Sequence, residues 1–145
     1  MNGKLYVVGT PIGNLSDFSP RAKEILASVD FIAAEDTRVT QKLLNFFDIK
    51  KPLVSYYEHN RRERGEMIIS RLLGGEVCAI VTDAGMPCIS DPGQDLVFLC
   101  HEKGVPVESV PGPTAFATAL AISGMESGRF TFEGFLSTNK PSRKE

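Results

Sequence analysis

The sequence predicts an α/β fold, a five-stranded parallel sheet with helices on both faces. Apolar runs of strand length alternate with helix-length amphipathic segments five times along the 145 residues, which is the pattern of a parallel sheet. Turns rich in glycine and proline follow several of these runs. The length and the 42% hydrophobic content are those of one globular domain with a single core. In such sheets, ligands bind beyond the carboxyl ends of the strands.

The first predicted unit is a strand at residues 5–8 followed by a helix at residues 20–29. One face of this helix is apolar, being formed by Ala22, Ile25, Leu26 and Val29. The same alternation then repeats four times. The further predicted strands are the apolar runs at residues 31–34, 53–56, 79–81 and 107–110. The further predicted helices are residues 37–47, 63–73, 94–103 and 114–123.

The alternating pattern ends at Gly124. Residues 129–136, R-F-T-F-E-G-F-L, alternate as a strand does, and a polar tail follows. A new strand after a complete α/β unit predicts that residues 1–124 form one domain. Residues 125–145 would then be a linker and the first strand of a carboxy-terminal domain absent from this chain. The alternative is that this segment adds an antiparallel edge strand to the sheet.

Composition argues against several classes of protein. No stretch approaches the ~20 apolar residues of a membrane-spanning helix, and the first residues lack the pattern of a signal peptide, so we expect a cytoplasmic protein. Cys78, Cys88 and Cys100 are odd in number and have no C-x-x-C spacing, which favours buried free thiols over disulfides or zinc.

The formal net charge of −2 gives no overall attraction to nucleic acid. Any contact with RNA therefore requires a local basic patch. The candidates for such a patch are Arg61, Arg62, Arg64, Lys140, Arg143 and Lys144.

Two turns are suited to holding a small ligand. They are residues 82–93, T-D-A-G-M-P-C-I-S-D-P-G, and residues 111–115, P-G-P-T-A. Because Gly85, Gly93 and Gly112 lack a β-carbon, we expect the backbone there to approach a bound molecule. The sequence has neither a G-x-x-x-x-G-K-[ST] nor a G-x-G-x-x-G signature. Prolines in the loops also remove N–H donors, which disfavours a ligand with a phosphate chain.

Five motifs occur in order along the chain. They are V-G-T-P-I-G-N-L (8–15), A-E-D-T-R (34–38), Y-E-H-N (57–60), the turn at 82–93 and V-P-G-P-T-A (110–115). Together they resemble the tetrapyrrole methylase superfamily, and within it the branch that methylates small-subunit ribosomal RNA. The resemblance implies S-adenosyl-L-methionine as methyl donor, bound without a metal in a cleft between this domain and a carboxy-terminal one. It also implies a homodimer that methylates the 2′-oxygen of a cytidine in 16S rRNA.

The resemblance further implies a set of cofactor contacts. These are Pro11, Ile12, Asp83, Ala84, Gly85, Met86, Ile89, Thr114 and Ala115. Relatives that methylate tetrapyrroles carry G-D-P where this chain has G-M-P at residues 85–87. The role of the missing carboxylate then passes to Asp83 or Asp91, or the backbone alone holds the cofactor. Alternatively, Asp91 only caps the helix that follows.

Methyl transfer to a ribose hydroxyl is an in-line displacement, in which the protein mainly positions the reactants and a base adds a smaller factor. The candidate bases at strand ends are Glu35, Asp36, Glu58 and His59. The candidate contacts to RNA phosphates or bases are Arg38, Asn60, Arg61, Arg62, Tyr56 and Tyr57. The structural alternatives are a helix cap at Asp36, an ion pair of Arg38 with Glu35, and a turn closed by His59 and Asn60.

Two other functions stay open at this point. One is methylation of a tetrapyrrole or another small molecule, which the G-M-P sequence disfavours. The other is a non-catalytic half-cleft that dimerises and holds cofactor weakly, because one wall of the site would be missing.

Overall fold

The computed structural model describes residues 3–139. Its strands are Lys4–Val8 (β1), Phe31–Ala34 (β2), Leu53–Ser55 (β3), Val77–Val81 (β4) and Val107–Val110 (β5). Its α-helices are Pro20–Ser28 (α1), Thr37–Phe46 (α2), Arg61–Leu73 (α3), Gly93–Lys103 (α4) and Ala115–Ile122 (α5), with a short 3-10 helix at Leu15–Asp17. All predicted strands and helices in the first 124 residues are present, with ends within two residues of those predicted. Lys140, Arg143 and Lys144 lie outside the described residues.

Local sequence sets where the helices begin and end. α1 begins at Pro20, whose fixed φ suits the first helical position. The side chain of Ser19 caps this helix by accepting a hydrogen bond from the backbone N–H of Ala22 at 3.0 Å. α4 ends at Gly104, which adopts a left-handed φ of 69°.

The five strands are parallel and lie in the order β3-β2-β4-β1-β5. In the centre of the sheet, Ala79 of β4 lies opposite Tyr6 of β1 and Ile32 of β2. β4 begins two residues earlier than predicted, because Lys4 of β1 pairs with Val77. All strands end at one edge of the sheet, which we call the carboxyl edge. The loops after β4, β1 and β5 are consecutive along this edge, and the loop after β2 borders them.

Helices cover both faces of the sheet, as predicted. α3 and α4 pack on one face, in a cluster that includes Leu5, Phe31, Ile68, Leu72 and Leu96. α1 and α2 pack on the other, in a cluster that includes Val8, Leu26, Ile32, Leu44 and Val81. Neighbouring residues of each central strand therefore point to different clusters, which explains why the strands are continuous apolar runs. Each fully buried side chain of this kind contributes about 1.5–3 kcal/mol.

The chain divides into two compact units, Met1–Ala115 and Phe116–Glu145. In the second unit the ring of Phe116 packs against that of Phe132, with centroids 4.9 Å apart. Residues 129–136 pair with no strand of this sheet within the described part of the chain, so the alternative of an antiparallel edge strand is wrong. That they begin a strand of a second domain stays a prediction. Gly134 has a φ of 80°, which interrupts an extended run. The sheet accordingly has five strands and no additional edge strand among residues 3–139.

No α-helix among residues 3–139 is both long and apolar enough to cross a membrane. Cys78 and Cys100 are buried, Cys88 is half-buried, and all three thiols are free. Burial raises the pKa of the Cys100 thiol to about 11 and that of Cys88 to about 12. Both thiols are therefore protonated and unreactive at neutral pH. Within the same residues, no group of three or more His, Cys, Asp or Glu side chains is placed to hold a metal ion.

Candidate functional site

The loop after β1 and the turn after β4 are joined by backbone hydrogen bonds. The N–H of Thr10 donates to the carbonyl of Gly85 at 3.0 Å, and the N–H of Gly85 donates back to the carbonyl of Thr10 at 3.1 Å. The Thr10 side chain is 1% exposed, and its hydroxyl donates to the carbonyl of Thr82 at 3.3 Å. These bonds hold two of the predicted cofactor loops in fixed relation to each other.

The loop after β5 is fitted against the loop after β1 through two glycines. A β-carbon added to Gly9 would lie 2.5 Å from the Cα of Gly112, and one added to Gly112 would lie 2.7 Å from the Cα of Gly9. Gly85 has a φ of 88°, and a β-carbon there would lie 3.2 Å from the carbonyl of Pro113 and 3.4 Å from Ile12 Cγ2. Three loops thus meet at the centre of the carboxyl edge.

This geometry corrects the role expected for the glycines. The sequence predicts that Gly85, Gly93 and Gly112 bring bare backbone up to a ligand. Position 112 must instead be glycine because the backbone of Gly9 lies directly against it. A β-carbon on Gly93 would lie 2.8 Å from Asp91 Oδ1 and 2.9 Å from Ile80 Cδ1, both within the protein. The chain needs these two glycines because its own segments pack closely.

The turn after β4 has a strained backbone. Cys88 and Ser90 have φ values of 70° and 49°, which residues other than glycine rarely adopt. Asp91 stabilises this conformation, because its Oδ1 accepts hydrogen bonds from the N–H of Cys88 at 3.1 Å and of Gly93 at 2.8 Å. Gly93 is the first residue of α4. The side chain of Asp91 therefore bonds the first N–H of α4 from the residue before its N-cap, Pro92, which is close to the capping alternative for this residue.

The predicted cofactor residues fall into three groups in the structure. Asp83, Ala84 and Ile89 are exposed on the turn after β4, with Ile89 45% exposed. Met86 packs against the cluster beneath α3 and α4, so it is partly a core residue. The remaining predicted residues are Pro11, Ile12 and Gly85 in the joined loops, and Thr114 and Ala115 at the start of α5.

Glu35 lies next to the turn after β4. The hydroxyl of Thr82 donates to Glu35 Oε2 at 3.4 Å. Partial burial, together with the nearby carboxylates of Asp91 and Asp83, raises the pKa of Glu35. Because β2 neighbours β4, this carboxylate is the candidate base that lies beside the predicted cofactor loops.

Asp36 has a structural role in the helix that follows it. Its Oδ1 accepts a hydrogen bond from the N–H of Arg38 at 3.0 Å and so caps α2. The side chain of Arg38 also bonds the Asp36 carboxylate, which lowers the pKa of Asp36. The structural alternative of an ion pair between Arg38 and Glu35 is thus not formed, and Arg38 pairs with Asp36 instead.

The loop after β3 lies at the far end of the carboxyl edge, two strands away from β4. Asn60 closes a turn there, since its Oδ1 accepts from the N–H of Tyr57 at 2.7 Å. Arg61 forms ion pairs with Glu58 at 3.4 Å and with Asp95 at 3.2 Å. These contacts join the loop to α4.

The remaining residues of this loop differ in exposure. Tyr56 is 2% exposed and donates its hydroxyl to the carbonyl of Pro92 at 3.0 Å, so the idea that it offers a stacking face is wrong. Tyr57 and His59 are exposed, with ring centroids 6.0 Å apart. Arg62 is exposed on α3 and lies in no salt bridge among residues 3–139. The structure therefore leaves Tyr57, His59 and Arg62 accessible.

The sequence did not reveal a groove of about 570 Å³ beside the joined loops. Its lining residues come from the β1 loop, the 3-10 helix, α2 and the turn after β4: Pro11, Gly13, Asn14, Leu15, Val39, Thr40, Lys42, Leu43, Phe46, Thr82 and Asp83. A signal for it was present, because Val39, Leu43 and Phe46 recur at helical spacing beside the buried face formed by Thr40 and Leu44. α2 therefore has more apolar surface than it buries in the core.

Comparisons with known proteins agree with this architecture. Residues 4–145 match the profile of a family described as tetrapyrrole (corrin/porphyrin) methylases. Ribosomal RNA small subunit methyltransferase I of Synechocystis is 52% identical over 143 residues, which are 99% of this chain and 51% of that protein. The protein of the same name from Thermotoga maritima is 52% identical over 142 residues, 98% of this chain and 64% of that protein. The chain spans between half and two thirds of the length of these relatives.

A solved structure shows the same fold. It is the uroporphyrin-III C-methyltransferase of Thermus thermophilus complexed with S-adenyl homocysteine, with a TM-score of 0.61 and 22% sequence identity. The similarity covers 87% of this chain and 55% of that one. The α/β fold predicted from the sequence is confirmed by this likeness and by the observed sheet.

Proposed function

This chain belongs to the family of tetrapyrrole (corrin/porphyrin) methylases, and we propose accordingly that it is the cofactor-binding half of an S-adenosyl-L-methionine-dependent methyltransferase. The main support is the meeting of three loops at the carboxyl edge, with Thr10 bonded to Gly85 and Gly9 packed against Gly112. Parallel α/β sheets bind ligands at this edge, where neighbouring loops leave a crevice.

The chemistry of the exposed residues fits a cationic cofactor. The carboxylates of Asp83 and Asp91 lie close enough to Glu35 to raise its pKa. The rim formed by these three carboxylates therefore carries negative charge. A sulfonium and an amino group are complementary to such a rim. Pro11, Ile12, Ala84, Gly85 and Met86 would hold the cofactor from the joined loops, with Asp83, Ile89, Thr114 and Ala115 completing the contacts.

We propose 16S rRNA as the substrate and the 2′-oxygen of a cytidine as the acceptor. The support is the name of the curated relatives, which are about half identical to this chain. When bound, S-adenosylmethionine supplies the methyl group and leaves as a neutral thioether. Glu35 accepts the proton of the 2′-hydroxyl as the new C–O bond forms, because its carboxylate is beside the cofactor loops and has a raised pKa.

The other predicted site residues take supporting roles in this proposal. Asp36 fixes the start of α2 and orients Arg38, whose side chain is 88% exposed while bonded to the Asp36 carboxylate, and which we expect to contact a phosphate. Asn60 and Arg61 hold the loop after β3. His59 and Arg62 are exposed and contact RNA outside the reacting atoms.

We further propose that the rest of the protein covers this half and that the whole is a cytoplasmic homodimer. α5 supports this proposal, because its sequence AFATALAI is almost entirely apolar and yet none of its residues is buried. Such an apolar helix is expected to pack against another part of the protein. The 145-residue chain alone should then bind S-adenosylhomocysteine weakly by calorimetry. Tight binding by residues 1–145 would contradict the split cleft.

The activity is tested with the full-length protein. It is incubated with methyl-labelled S-adenosylmethionine and with 16S rRNA or small subunits from cells that lack the enzyme. We expect label in the RNA, and nuclease digestion should place it on the 2′-oxygen of a cytidine. Label on a base, or transfer to a porphyrinoid in place of RNA, would contradict the proposal.

The base is tested with two variants of the full-length protein. Glu35→Gln should lower kcat by about 10²- to 10⁴-fold with little change in cofactor affinity. Asp36→Asn keeps the helix cap and should retain most of the activity. If instead Asp36→Asn is the inactive variant, the assignment of Glu35 is wrong.

A further inference from the structure

Two further depressions neighbour the groove beside the joined loops. The groove shares Lys42 with a second depression of about 510 Å³, lined by Thr37, Arg38, Gln41, Lys42, Asn45 and Leu53. That depression shares Gln41 with a third, of about 430 Å³, lined by Gln41, Lys50, Lys51 and Pro52. We call these three neighbouring depressions together the α2 trough. It begins at Pro11 and Asp83 of the proposed cofactor loops and ends beyond the carboxyl end of α2.

The α2 trough is positively charged. Four cationic side chains line it, Arg38, Lys42, Lys50 and Lys51, and the one carboxylate in the lining is that of Asp83. Arg38 is already paired with the carboxylate of Asp36, so the three lysines carry the excess positive charge. Lys42 and Lys50 are exposed and Lys51 is half-buried, and none of the three lies in a salt bridge with any residue of the described chain. Such a surface attracts a polyanion even though the formal net charge of the chain is −2.

The basic residues that the sequence suggested are less available. Arg61 is held by two carboxylates, those of Glu58 and Asp95. Arg64 lies over Met67, with its Nη1 4.0 Å from the sulfur. Of the described arginines on α3 that we considered, Arg62 alone is exposed and outside any described ion pair. The α2 trough is therefore the larger accessible basic surface.

The groove that Pro11 and Asp83 line also has exposed apolar side chains. Phe46 is 65% exposed and Leu15 is 40% exposed. The ring of Phe46 meets that of Phe47 edge to face with centroids 5.0 Å apart, and Phe47 in turn packs on the buried Phe18 at 5.1 Å. Phe46 is thus supported from below and keeps an open face, which suits stacking of an unpaired base.

We propose that a single-stranded segment of the RNA substrate lies along the α2 trough. Its phosphates contact Arg38, Lys42, Lys50 and Lys51, and one unpaired base stacks on Phe46 in the groove whose lining also includes Asp83. This inference rests on the proposed function and adds the RNA-binding surface to it. A covering protein segment is the alternative occupant, but three lysines outside any described ion pair and one lining carboxylate favour a phosphate backbone.

The test measures binding of the full-length protein to a 16S rRNA fragment at several salt concentrations. Lys42→Gln, Lys50→Gln and Lys51→Gln combined should reduce the slope of log K against log salt by about two to three, since each phosphate contact contributes roughly 0.7–0.9. Phe46→Ala should weaken binding about tenfold with little change in the slope. The single variant Lys42→Gln is measured as well, with Lys103→Gln as its matched control. Lys103 is exposed on α4, on the other face of the sheet, and its substitution should leave the slope unchanged.

The outcomes separate this inference from the function on which it rests. If the wild-type protein does not methylate rRNA, both fail. If it methylates rRNA and the triple variant keeps the wild-type slope, the α2 trough is not the RNA surface. A second outcome also excludes the trough as the RNA surface. In that outcome the triple variant keeps the wild-type slope but loses thermal stability or S-adenosylhomocysteine binding, which would indicate that another part of the protein covers the trough.

Discussion

Gly9 and Gly112 face each other across the carboxyl edge so closely that neither position has room for a side chain. A β-carbon on Gly112 would lie 2.7 Å from the Cα and 2.9 Å from the carbonyl carbon of Gly9. Both neighbours are backbone atoms, so no rotamer change relieves the contact. The close approach of the loops after β1 and β5 therefore requires glycine at both positions.

Gly112→Ala should destabilise the chain by about 1–3 kcal/mol, because the loops must separate to admit the methyl group. Urea unfolding of the 145-residue chain measures this change. The full-length variant should also bind S-adenosylhomocysteine more weakly. Gly128→Ala is the control, since a β-carbon at Gly128 meets no atom within 4 Å and should change stability little. Equal stability of the two variants would show that the loops adapt.

Thr10→Val should cost about 1 kcal/mol in the free energy of unfolding. The substitution keeps the shape of the buried side chain and removes the hydroxyl that donates to the carbonyl of Thr82. Thr10→Ser keeps the hydroxyl and removes only a methyl group. Hydrogen exchange of the Gly85 amide should become faster in the valine variant than in the serine variant. Identical exchange in both would mean that the hydroxyl does not stabilise this loop.

Asp36→Ala should destabilise the chain by about 1 kcal/mol through loss of the cap of α2. Asp36→Asn retains an oxygen that accepts the hydrogen bond from the N–H of Arg38, so it should keep most of the stability. Thermal unfolding of the two variants compares them directly. A loss of the same size in both would mean that the charge of Asp36, and not its capping oxygen, is what stabilises the helix.

Glu35→Gln should stabilise the chain at pH 7 and leave it unchanged in acid. The pKa of Glu35 is raised from its ordinary value of 4.5, so the folded state binds this proton more tightly than the unfolded state does. The stability that results is fully present below pH 4.5 and is lost as the pH rises through the raised pKa. Because the side chain is exposed, the gain at pH 7 should be under about 1 kcal/mol.

Urea unfolding of Glu35→Gln and wild type between pH 4 and pH 8 tests this expectation. The difference in stability should grow with pH from near zero. Glu102→Gln, an exposed carboxylate on α4, serves as the control. A Glu35→Gln variant less stable than wild type at pH 7 would sink the idea that neighbouring carboxylates and burial disfavour the charge at this position.

The helices and strands of this protein could be predicted from its sequence, since strand runs and helix faces are local patterns. The strand at residues 31–34 was predicted with the observed bounds of β2, and the prediction that helices cover both faces followed from the apolar runs. The motifs at strand ends indicated the family. These features depend on periodicity and on residue type at fixed spacing, and both can be read along one dimension.

Which loops meet could be learned only from the folded chain. The order β3-β2-β4-β1-β5 places Glu35 beside Thr82 and leaves His59 two strands away from β4, and no local pattern specifies that order. The fold also showed that position 112 must be glycine because the backbone of Gly9 lies against it. It showed as well that two carboxylates pair with Arg61 and that residues around α2 form a basic trough. Such contacts join residues far apart in the chain, so their partners become known only when packing brings the segments together.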